Sequence, residues 1–297
     1  MKRIPYALVD GFAPAPGAGN RVAVVLDARG MSPEEMQAVA QSLGAAEAAF
    51  LLERTGAALS VRFFAPGGEV EFSGHAAVAV GLTAARTGLV PEGTTRLYLH
   101  TPTEVLPVEL VLEAGEPRKA WVRGPAPRFR DLPPYRALRE VLEALGSDER
   151  YLHRGLPYGV AFTGLWSLFV PLIAPGVVDA LEPEMERLKA LCFRLDVATV
   201  HAYAPMGPRS FYARDFAPLL GIPEDPVTGS ANAALGALLA RAGVVPRREG
   251  KVLLTVYQGH HLGNPGVVEV QVEYSPTGEP YSVQIGGEAV IVQTGEV

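Results

Sequence analysis

The spacing of hydrophobic positions predicts a chain built largely of β-strands. Apolar and polar residues alternate with the period of two that a half-buried strand requires. The alternating segments are 95–100, 104–112, 251–257, 267–274 and 281–292. Shorter apolar segments predict further strands at 22–26, 48–53, 168–173 and 198–204. Turn residues around Gly115, Pro276 and Gly286 indicate tight connections, which support the prediction of strands.

Two segments have the composition of buried helices. Residues 76–87 and 231–242 are small and apolar on nearly every face, and a helix that is apolar all round is predicted to lie inside a core. Two other helices are predicted to begin at Pro33 and Pro183, since proline is favoured in the first turn. Residues 138–145 form an additional amphipathic helix.

The two apolar helices belong to a longer internal repeat. The turn Ser73-Gly74-His75-Ala76 matches Thr228-Gly229-Ser230-Ala231, an offset of 228 minus 73, or 155 residues. Because this offset is about half of the chain, it predicts two similar domains related by a pseudo-twofold axis. We predict an α+β fold in which each domain is a curled, mostly antiparallel sheet around one buried helix. The predicted domains are 1–122 with 286–297, and 123–285, and residues 125–134 are the predicted linker.

Composition excludes several functional classes. The chain has 297 residues, 26 Lys and Arg, 32 Asp and Glu, and a net charge of −6, which disfavours a broad surface for nucleic acid or anionic lipid. The single cysteine, Cys192, allows no intrachain disulfide, no cysteine-based zinc site and no mechanism that uses two thiols of one chain. The pair His260-His261 lacks further ligand spacing, so no metal is expected.

The chain is expected to be cytoplasmic and outside membranes. Its first residues, MKRIPYALVDGF, lack the apolar core of a signal peptide. The uncharged segment 155–178 is long enough to span a bilayer, but its prolines and glycines favour buried strands broken by turns.

The repeated glycine turns are candidate anion sites. Each precedes a buried helix, whose N-terminus offers unpaired N–H groups and a partial positive charge to a carboxylate. The predicted pseudo-symmetry would bring both turns to one cleft between the domains, which suits a small anionic substrate. The alternative is structural: Ser73 and Thr228 cap the two helices, and the glycines permit close packing.

Three polar residues near these turns are candidates for the chemistry. His75 follows the first turn, where the helix terminus favours a neutral imidazole, and Asp225 precedes the second. Asp225 could instead serve only its turn, and Glu224 could take that role. Glu47 stands alone in an apolar segment, so it either faces water or is desolvated; a desolvated carboxylate binds its proton tightly enough to take it and return it.

Several ordered motifs resemble the phenazine biosynthesis PhzF-like family, whose fold is that of diaminopimelate epimerase. They are GNRVAVV at 19–25, VRFFAPGGEVEFSGHA at 61–76, EDPVTGSAN at 224–232, Gln258-Gly259 with Gly263, and IGGEAV at 285–290. The resemblance implies a cofactor-free isomerase, usually a homodimer, with its site between two similar domains. It also implies site residues: Glu47 as the catalytic acid and base, and Ser73, Gly74, His75, Asp225, Thr228, Gly229 and Ser230 as substrate-binding residues.

The same resemblance narrows the mechanism. In the epimerase branch of the fold two cysteines act as opposed acid and base; here Ser73 occupies the first position and the Asp225-Pro226 turn the second. A serine without a partner base is a far weaker acid than a thiol, so a one-carboxylate proton shuttle is expected. Ala46, Ala48 and Ala77 replace hydroxyl residues common in the family, which puts the phenazine precursor in doubt as substrate. The alternatives are a non-catalytic binding protein on the same fold and a lyase that uses the same base.

Overall fold

The computed structural model describes residues 3–297. Met1 and Lys2, which the sequence analysis placed in the first domain and in a start without a signal peptide, lie outside the described residues. The chain divides into two compact units, residues 1–123 with 286–297, and residues 124–285. We refer to them as unit 1 and unit 2. The boundaries predicted from sequence were 122/123 and 285/286.

Unit 1 is a mixed sheet with two helices. Its strands are β1 Pro5–Gly11, β2 Asn20–Val25, β3 Glu47–Thr55, β4 Ala58–Ala65, β5 Gly68–Val70, β6 Arg96–His100, β7 Val105–Glu113, β8 Glu116–Arg123 and β18 Ala289–Glu296. The strands pair in the order β18-β1-β2-β3-β4-β6-β7-β8, with β5 added to one end of β4. The pairs β2–β3 and β4–β6 are parallel, and the others are antiparallel. The helices are α1 Pro33–Ser42 and α2 Gly74–Arg86.

Local sequence explains both helices of unit 1. Ser32 caps α1 through a capping box with Glu35, and Pro33 stands in the first turn. In α2 all residues from Gly74 to Ala84 are buried, as the apolar composition predicted. This helix contacts strands from both ends of the sheet order, β18 and β1 as well as β7 and β8, so the sheet curls around it.

Unit 2 contains four helices and the remaining strands. The strands are β9 Arg128–Arg130, β10 Gly159–Phe162, β11 Trp166–Pro171, β12 Thr199–Gly207, β13 Ser210–Ala217, β14 Ile222–Asp225, β15 Lys251–Gln258 and β16 Gly266–Tyr274, while β17 Pro280–Gly287 ends in unit 1. The helices are α3 Tyr135–Ala144, α4 Pro175–Asp179, α5 Met185–Leu195 and α6 Gly229–Arg241. The parallel pairs are β11–β12 and β13–β15. The buried helix α6 packs on β10, β11, β15 and β16.

Both units follow the same order of pairings. In unit 1 the parallel pair β2–β3 is followed by the antiparallel pair β3–β4, the parallel pair β4–β6 and the antiparallel pair β6–β7. In unit 2 the parallel pair β11–β12 is followed by the antiparallel pair β12–β13, the parallel pair β13–β15 and the antiparallel pair β15–β16. In each unit the buried helix lies in the connection between the strands of the second parallel pair. The prediction of one strand at 281–292 is wrong, because the chain forms two strands there. Strand β17 ends at Gly287, and β18 begins at Ala289. The predicted linker contains the short strand β9.

The glycines inside the two buried helices allow close contact with the sheet. A methyl group on Gly81 would lie 2.7 Å from Val108 Cγ1 of β7, and one on Gly236 would lie 2.5 Å from Val270 Cγ1 of β16. Both distances are too short for carbon atoms in a close-packed interior. These positions therefore hold glycine for packing rather than for backbone conformation.

We expect Gly236→Ala to lower the free energy of unfolding by about 1–3 kcal/mol, because the added methyl group overpacks the contact between α6 and β16. Gly176→Ala in α4 is the matched control, since an added methyl group there lies within 4 Å of no other atom. Alanine is also favoured over glycine in a helix, so this variant should be no less stable than the wild type. Urea unfolding of both variants measures the difference. Equal stability of the two variants would contradict the packing role.

Cys192 lies in the core of unit 2. Its side chain is fully buried among apolar residues of α3, α4, α5, β11 and β12. Burial, reinforced by the charge of Asp215, raises the pKa of the Cys192 thiol from 9.0 to about 12. The thiol is therefore shielded both by packing and by its weak acidity.

We expect iodoacetamide to leave Cys192 unmodified in the native protein at about pH 8. The pKa rise from 9.0 to about 12 alone lowers the thiolate fraction about 1,000-fold, and burial slows access further. Mass spectrometry of the native and the urea-unfolded protein measures the two rates at this single thiol. Native labelling as fast as in urea would show that the core of unit 2 opens freely.

No helix within residues 3–297 has both the length and the apolar character that crossing a bilayer requires. The uncharged segment 155–178 instead forms β10, β11 and the short helix α4, in agreement with the strands expected there.

Candidate functional site

Glu47 is the first residue of β3, where the sheet of unit 1 begins its parallel pair with β2. Its Cα pairs with Val22, and the preceding Ala46 N–H donates to the Arg21 carbonyl. The side chain is 18% exposed, and within the described residues its buried Oε2 atom accepts no hydrogen bond. Glu47 therefore faces the interior side of its strand end rather than bulk water.

His75 lies beside Glu47, in the first turn of α2. Its Nε2 atom is 3.7 Å from Glu47 Oε2, and its side chain is 10% exposed. Nε2 forms no hydrogen bond within residues 3–297. The parallel pair β2–β3 and the buried helix thus bring together two groups that are 28 positions apart in sequence (75 minus 47).

Ser73 orients the imidazole of His75. Its Oγ atom accepts the Ala76 N–H at 3.3 Å and lies 3.3 Å from His75 Nδ1. The Ser73 hydroxyl can donate to Nδ1 or accept from it, according to which ring nitrogen carries the proton. In the tautomer in which the hydroxyl donates, the ring proton is on Nε2, beside the Glu47 carboxylate. Ser73 thus caps α2, as the purely structural interpretation of this turn predicted, and also contacts the imidazole of His75.

An ion pair between the buried carboxylate of Asp10 and the exposed side chain of Arg21 supports the neighbouring strand end. Asp10 of β1 is 1% exposed and accepts hydrogen bonds from Gly17 N–H at 2.7 Å and Arg21 Nε at 2.8 Å. The hydrogen bond with Asp10 raises the pKa of Arg21 above its ordinary value. Arg21 in turn supplies the carbonyl that binds Ala46 N–H, next to Glu47. Sequence analysis did not single out Asp10, because its partners lie seven and eleven residues away across a turn.

The second glycine turn, in unit 2, is arranged differently from the first. The Thr228 hydroxyl donates to Asp225 Oδ2 at 2.7 Å instead of capping α6, and no side chain of the described residues caps this helix. Thr228 therefore stands at the N-cap position of α6, as predicted, but its side chain makes no capping hydrogen bond. Its hydroxyl is used to hold the Asp225 carboxylate, so the N-terminus of α6 stays open.

Gln258, the last residue of β15, binds this turn, although the sequence indicated it only as part of a family motif. It is fully buried, and its amide binds Thr228 at N and Oγ1, the Asp225 carbonyl and Asn232 Nδ2. Only its distance in sequence, 30 residues from Thr228, concealed this role.

Glu224 and Asp225 are adjacent but have different partners. The Arg214 guanidinium binds Glu224 through two hydrogen bonds of 2.9 and 2.8 Å, and both side chains are less than 10% exposed. Arg214 also donates to the carbonyls of Val178, Asp179 and Leu181. Glu224 is therefore a structural residue that ties β14 to the core, whereas the Asp225 carboxylate accepts the Thr228 hydroxyl.

Gly229 and Ser230 form the first turn of α6. Gly229 is buried and Ser230 half-buried, and the Ser230 carbonyl accepts the Thr163 hydroxyl at 2.6 Å. Such a helix terminus can bind a carboxylate through backbone N–H groups. The prediction that this turn and Glu47 line one pocket stays a prediction.

The described part of the chain contains no group of three or more His, Cys, Asp or Glu side chains that could hold a metal ion. The exposed residue His260 packs instead against the rings of Tyr212 and Tyr257, at centroid distances of 5.5 and 6.4 Å.

Comparison with known proteins identifies the group to which the chain belongs. The family model described as phenazine biosynthesis-like protein (PhzC-PhzF) matches residues 9–295. The chain is 46% identical over 292 residues to a protein of Deinococcus radiodurans described as an uncharacterized isomerase, with 98% of this chain and 93% of that protein covered. It is 31% identical over 294 residues to trans-2,3-dihydro-3-hydroxyanthranilate isomerase of Pseudomonas fluorescens, with 98% of each chain covered.

A solved structure confirms the fold. The crystal structure of a Bacillus anthracis phenazine biosynthesis protein of the PhzF family superposes with a TM-score of 0.90 at 29% identity, covering 100% of this chain and 99% of that one. The predicted α+β fold of the diaminopimelate epimerase type is confirmed. The chain belongs to the phenazine biosynthesis-like PhzC-PhzF family.

Proposed function

We propose that this PhzF-like isomerase moves a proton, and with it a double bond, on a small carboxylated substrate without a cofactor, and that Glu47 carries the proton. The observation that supports this proposal best is the pair formed by Glu47 and His75. Its two facing atoms, Oε2 and Nε2, are buried, lie 3.7 Å apart and have no hydrogen-bond partner among the described residues. Two such groups left open to a ligand are costly for stability, which is typical of a site kept for binding or catalysis.

The proposed reaction balances within one carboxyl group. Glu47 as carboxylate takes a proton from an acidified carbon, and the C–H electron pair becomes part of a new double bond. The old double bond shifts by one position, and its far carbon takes a proton back from the Glu47 carboxylic acid, which in heavy water can first exchange that proton for deuterium. No oxidant or reductant is needed. The Nε2–H of His75 is placed to donate a hydrogen bond to the substrate beside the proton that moves.

The second turn is proposed to bind the substrate carboxylate. The open N-terminus of α6 at Gly229 and Ser230 offers N–H donors, while Asp225 can accept from an amine or hydroxyl. Gly74, in the first turn of α2, offers the same kind of donor beside His75. A substrate that carries a carboxylate with an amine or hydroxyl fits these donors and acceptors.

The first compound to test is the one named by a relative, trans-2,3-dihydro-3-hydroxyanthranilate. Incubation in heavy water, followed by proton NMR, would show deuterium entering carbon positions and a shifted double bond. Loss of a group from the ring would favour the lyase alternative. Binding with neither deuterium uptake nor a shifted double bond, for this compound and for related amino and unsaturated carboxylates, would favour the non-catalytic binding protein.

We also propose that the two units arose by duplication, which their common order of pairings supports. The family resemblance further suggests a homodimer, and sedimentation velocity measures that state directly.

A further inference from the structure

Gln258 at the end of β15 makes four hydrogen bonds at the second turn, with Asp225, Thr228 and Asn232. Its Oε1 atom accepts Thr228 N–H at 3.1 Å and Asn232 Nδ2 at 2.7 Å. Its Nε2 atom donates to the Asp225 carbonyl at 2.9 Å and to Thr228 Oγ1 at 3.1 Å. A backbone donor faces Oε1 and a backbone acceptor faces Nε2, so the orientation of the amide is fixed. All four hydrogen-bonding positions of this fully buried side chain are used.

The consequence is seen at Thr228. A threonine at the N-cap position normally turns its hydroxyl onto the helix N–H groups, as Ser73 does on α2. At α6 the Gln258 amide occupies one side of Thr228 Oγ1, and the hydroxyl proton goes to Asp225. The same hydrogen bonds fix both the Asp225 carboxylate and the open helix terminus.

We propose that Gln258 is a positioning residue for carboxylate binding: it holds the Thr228 hydroxyl on Asp225 and thereby keeps the N-terminus of α6 open to the carboxylate of the substrate. This inference rests on the proposed function, since it concerns the same turn. It also assigns different roles to the two repeated turns. The turn before α2 is capped by Ser73 and carries His75, whereas the turn before α6 is left uncapped for the anion.

The test compares Gln258→Met, which keeps the length of the side chain and removes every hydrogen bond, with the wild type. We expect the Kd and the KM for trans-2,3-dihydro-3-hydroxyanthranilate to rise about 10- to 100-fold, with kcat changed less than about threefold, because the freed Thr228 hydroxyl competes for the helix N–H groups. Gln271→Met is the matched control. It removes one hydrogen bond between glutamines in the same unit, to Gln284 at 3.2 Å, and should leave both constants unchanged.

A second substitution separates positioning from general weakening of the fold. Thr228→Val removes the competing hydroxyl, so the double variant Gln258→Met/Thr228→Val should bind the compound more tightly than Gln258→Met alone. A merely structural role predicts the double variant to be equal or worse, and that result would overturn the inference. Wild-type affinity in Gln258→Met would overturn it as well.

Measurements on the wild type keep the test valid if Gln258→Met does not fold. On titration with the same compound, or with benzoate, the amide N–H signals of Gly229, Ser230 and Ala231 should shift most in an ¹⁵N spectrum. Absence of these shifts with both compounds would overturn the inference. Shifts without turnover would instead contradict only the proposed isomerisation of that compound.

Discussion

Replacement of Glu47 by glutamine is expected to lower deuterium incorporation from heavy water by about 1,000-fold, within the range of about 10²–10⁴ found for general acid–base groups. The glutamine amide has nearly the same shape but can neither take nor return a proton at neutral pH. Substrate binding should be largely retained, because the anion site and His75 are untouched. The rate is measured by proton NMR under saturating trans-2,3-dihydro-3-hydroxyanthranilate, so that kcat rather than KM is compared.

Glu53→Gln provides the matched control for this result. Glu53 lies on the same strand, β3, but is exposed, whereas the Oε2 atom of Glu47 is buried. It should exchange deuterium at the wild-type rate. Retention of wild-type exchange in Glu47→Gln, with the control also active, would exclude Glu47 as the proton carrier and leave the fold assignment unaffected.

Replacement of Asp215 by alanine is expected to lower the free energy of unfolding by about 3–5 kcal/mol, the cost of breaking a buried ionisable pair. Asp215 Oδ1 lies 2.9 Å from His201 Nδ1, and both side chains are fully buried on the paired strands β12 and β13. The imidazole also packs edge-on against Phe169, at a centroid distance of 5.5 Å. Without the carboxylate, His201 keeps a buried donor that nothing else satisfies.

Urea denaturation measures this loss as a shift in midpoint at constant slope. Two further variants separate its causes. Asp215→Asn keeps one hydrogen bond to His201 and should lose less free energy of unfolding than Asp215→Ala. Glu109→Ala breaks the exposed ion pair with Arg96 on β6–β7 and should unfold at the same urea concentration as the wild type. A loss in Asp215→Ala no larger than in Glu109→Ala would show that the buried pair does not stabilise unit 2.

The fold could be predicted from sequence wherever a local pattern decided the structure. The apolar runs at 76–87 and 231–242 became the buried helices because a helix without a polar face has nowhere else to lie. The strands at 281–292 were counted as one, because alternation continues across a turn and does not show where the ladder changes partner.

The repeat and the family motifs led to His75 and the two glycine turns, and the isolated carboxylate in an apolar segment led to Glu47, yet these signals could not determine what the side chains touch. Whether Glu47 faced water was undecided in sequence, since an isolated carboxylate in an apolar strand is compatible with either side. The parallel pairing of β2 with β3 and the burial of α2 decided it, by bringing His75 to 3.7 Å.

The sequence by itself determined many of the longer strands, the two buried helices, the repeated glycine turns and the family, because periodicity and short motifs are local properties of a chain; it did not show β1, β8 or α4. Only the tertiary structure showed that Thr228 does not cap α6, that Gln258 holds its turn, and that Asp10 and the His201–Asp215 pair are buried. Apart from the bond between Thr228 and Asp225, these features depend on hydrogen bonds between residues that lie on different strands or turns. Those partners become known only when the strands that carry them pair.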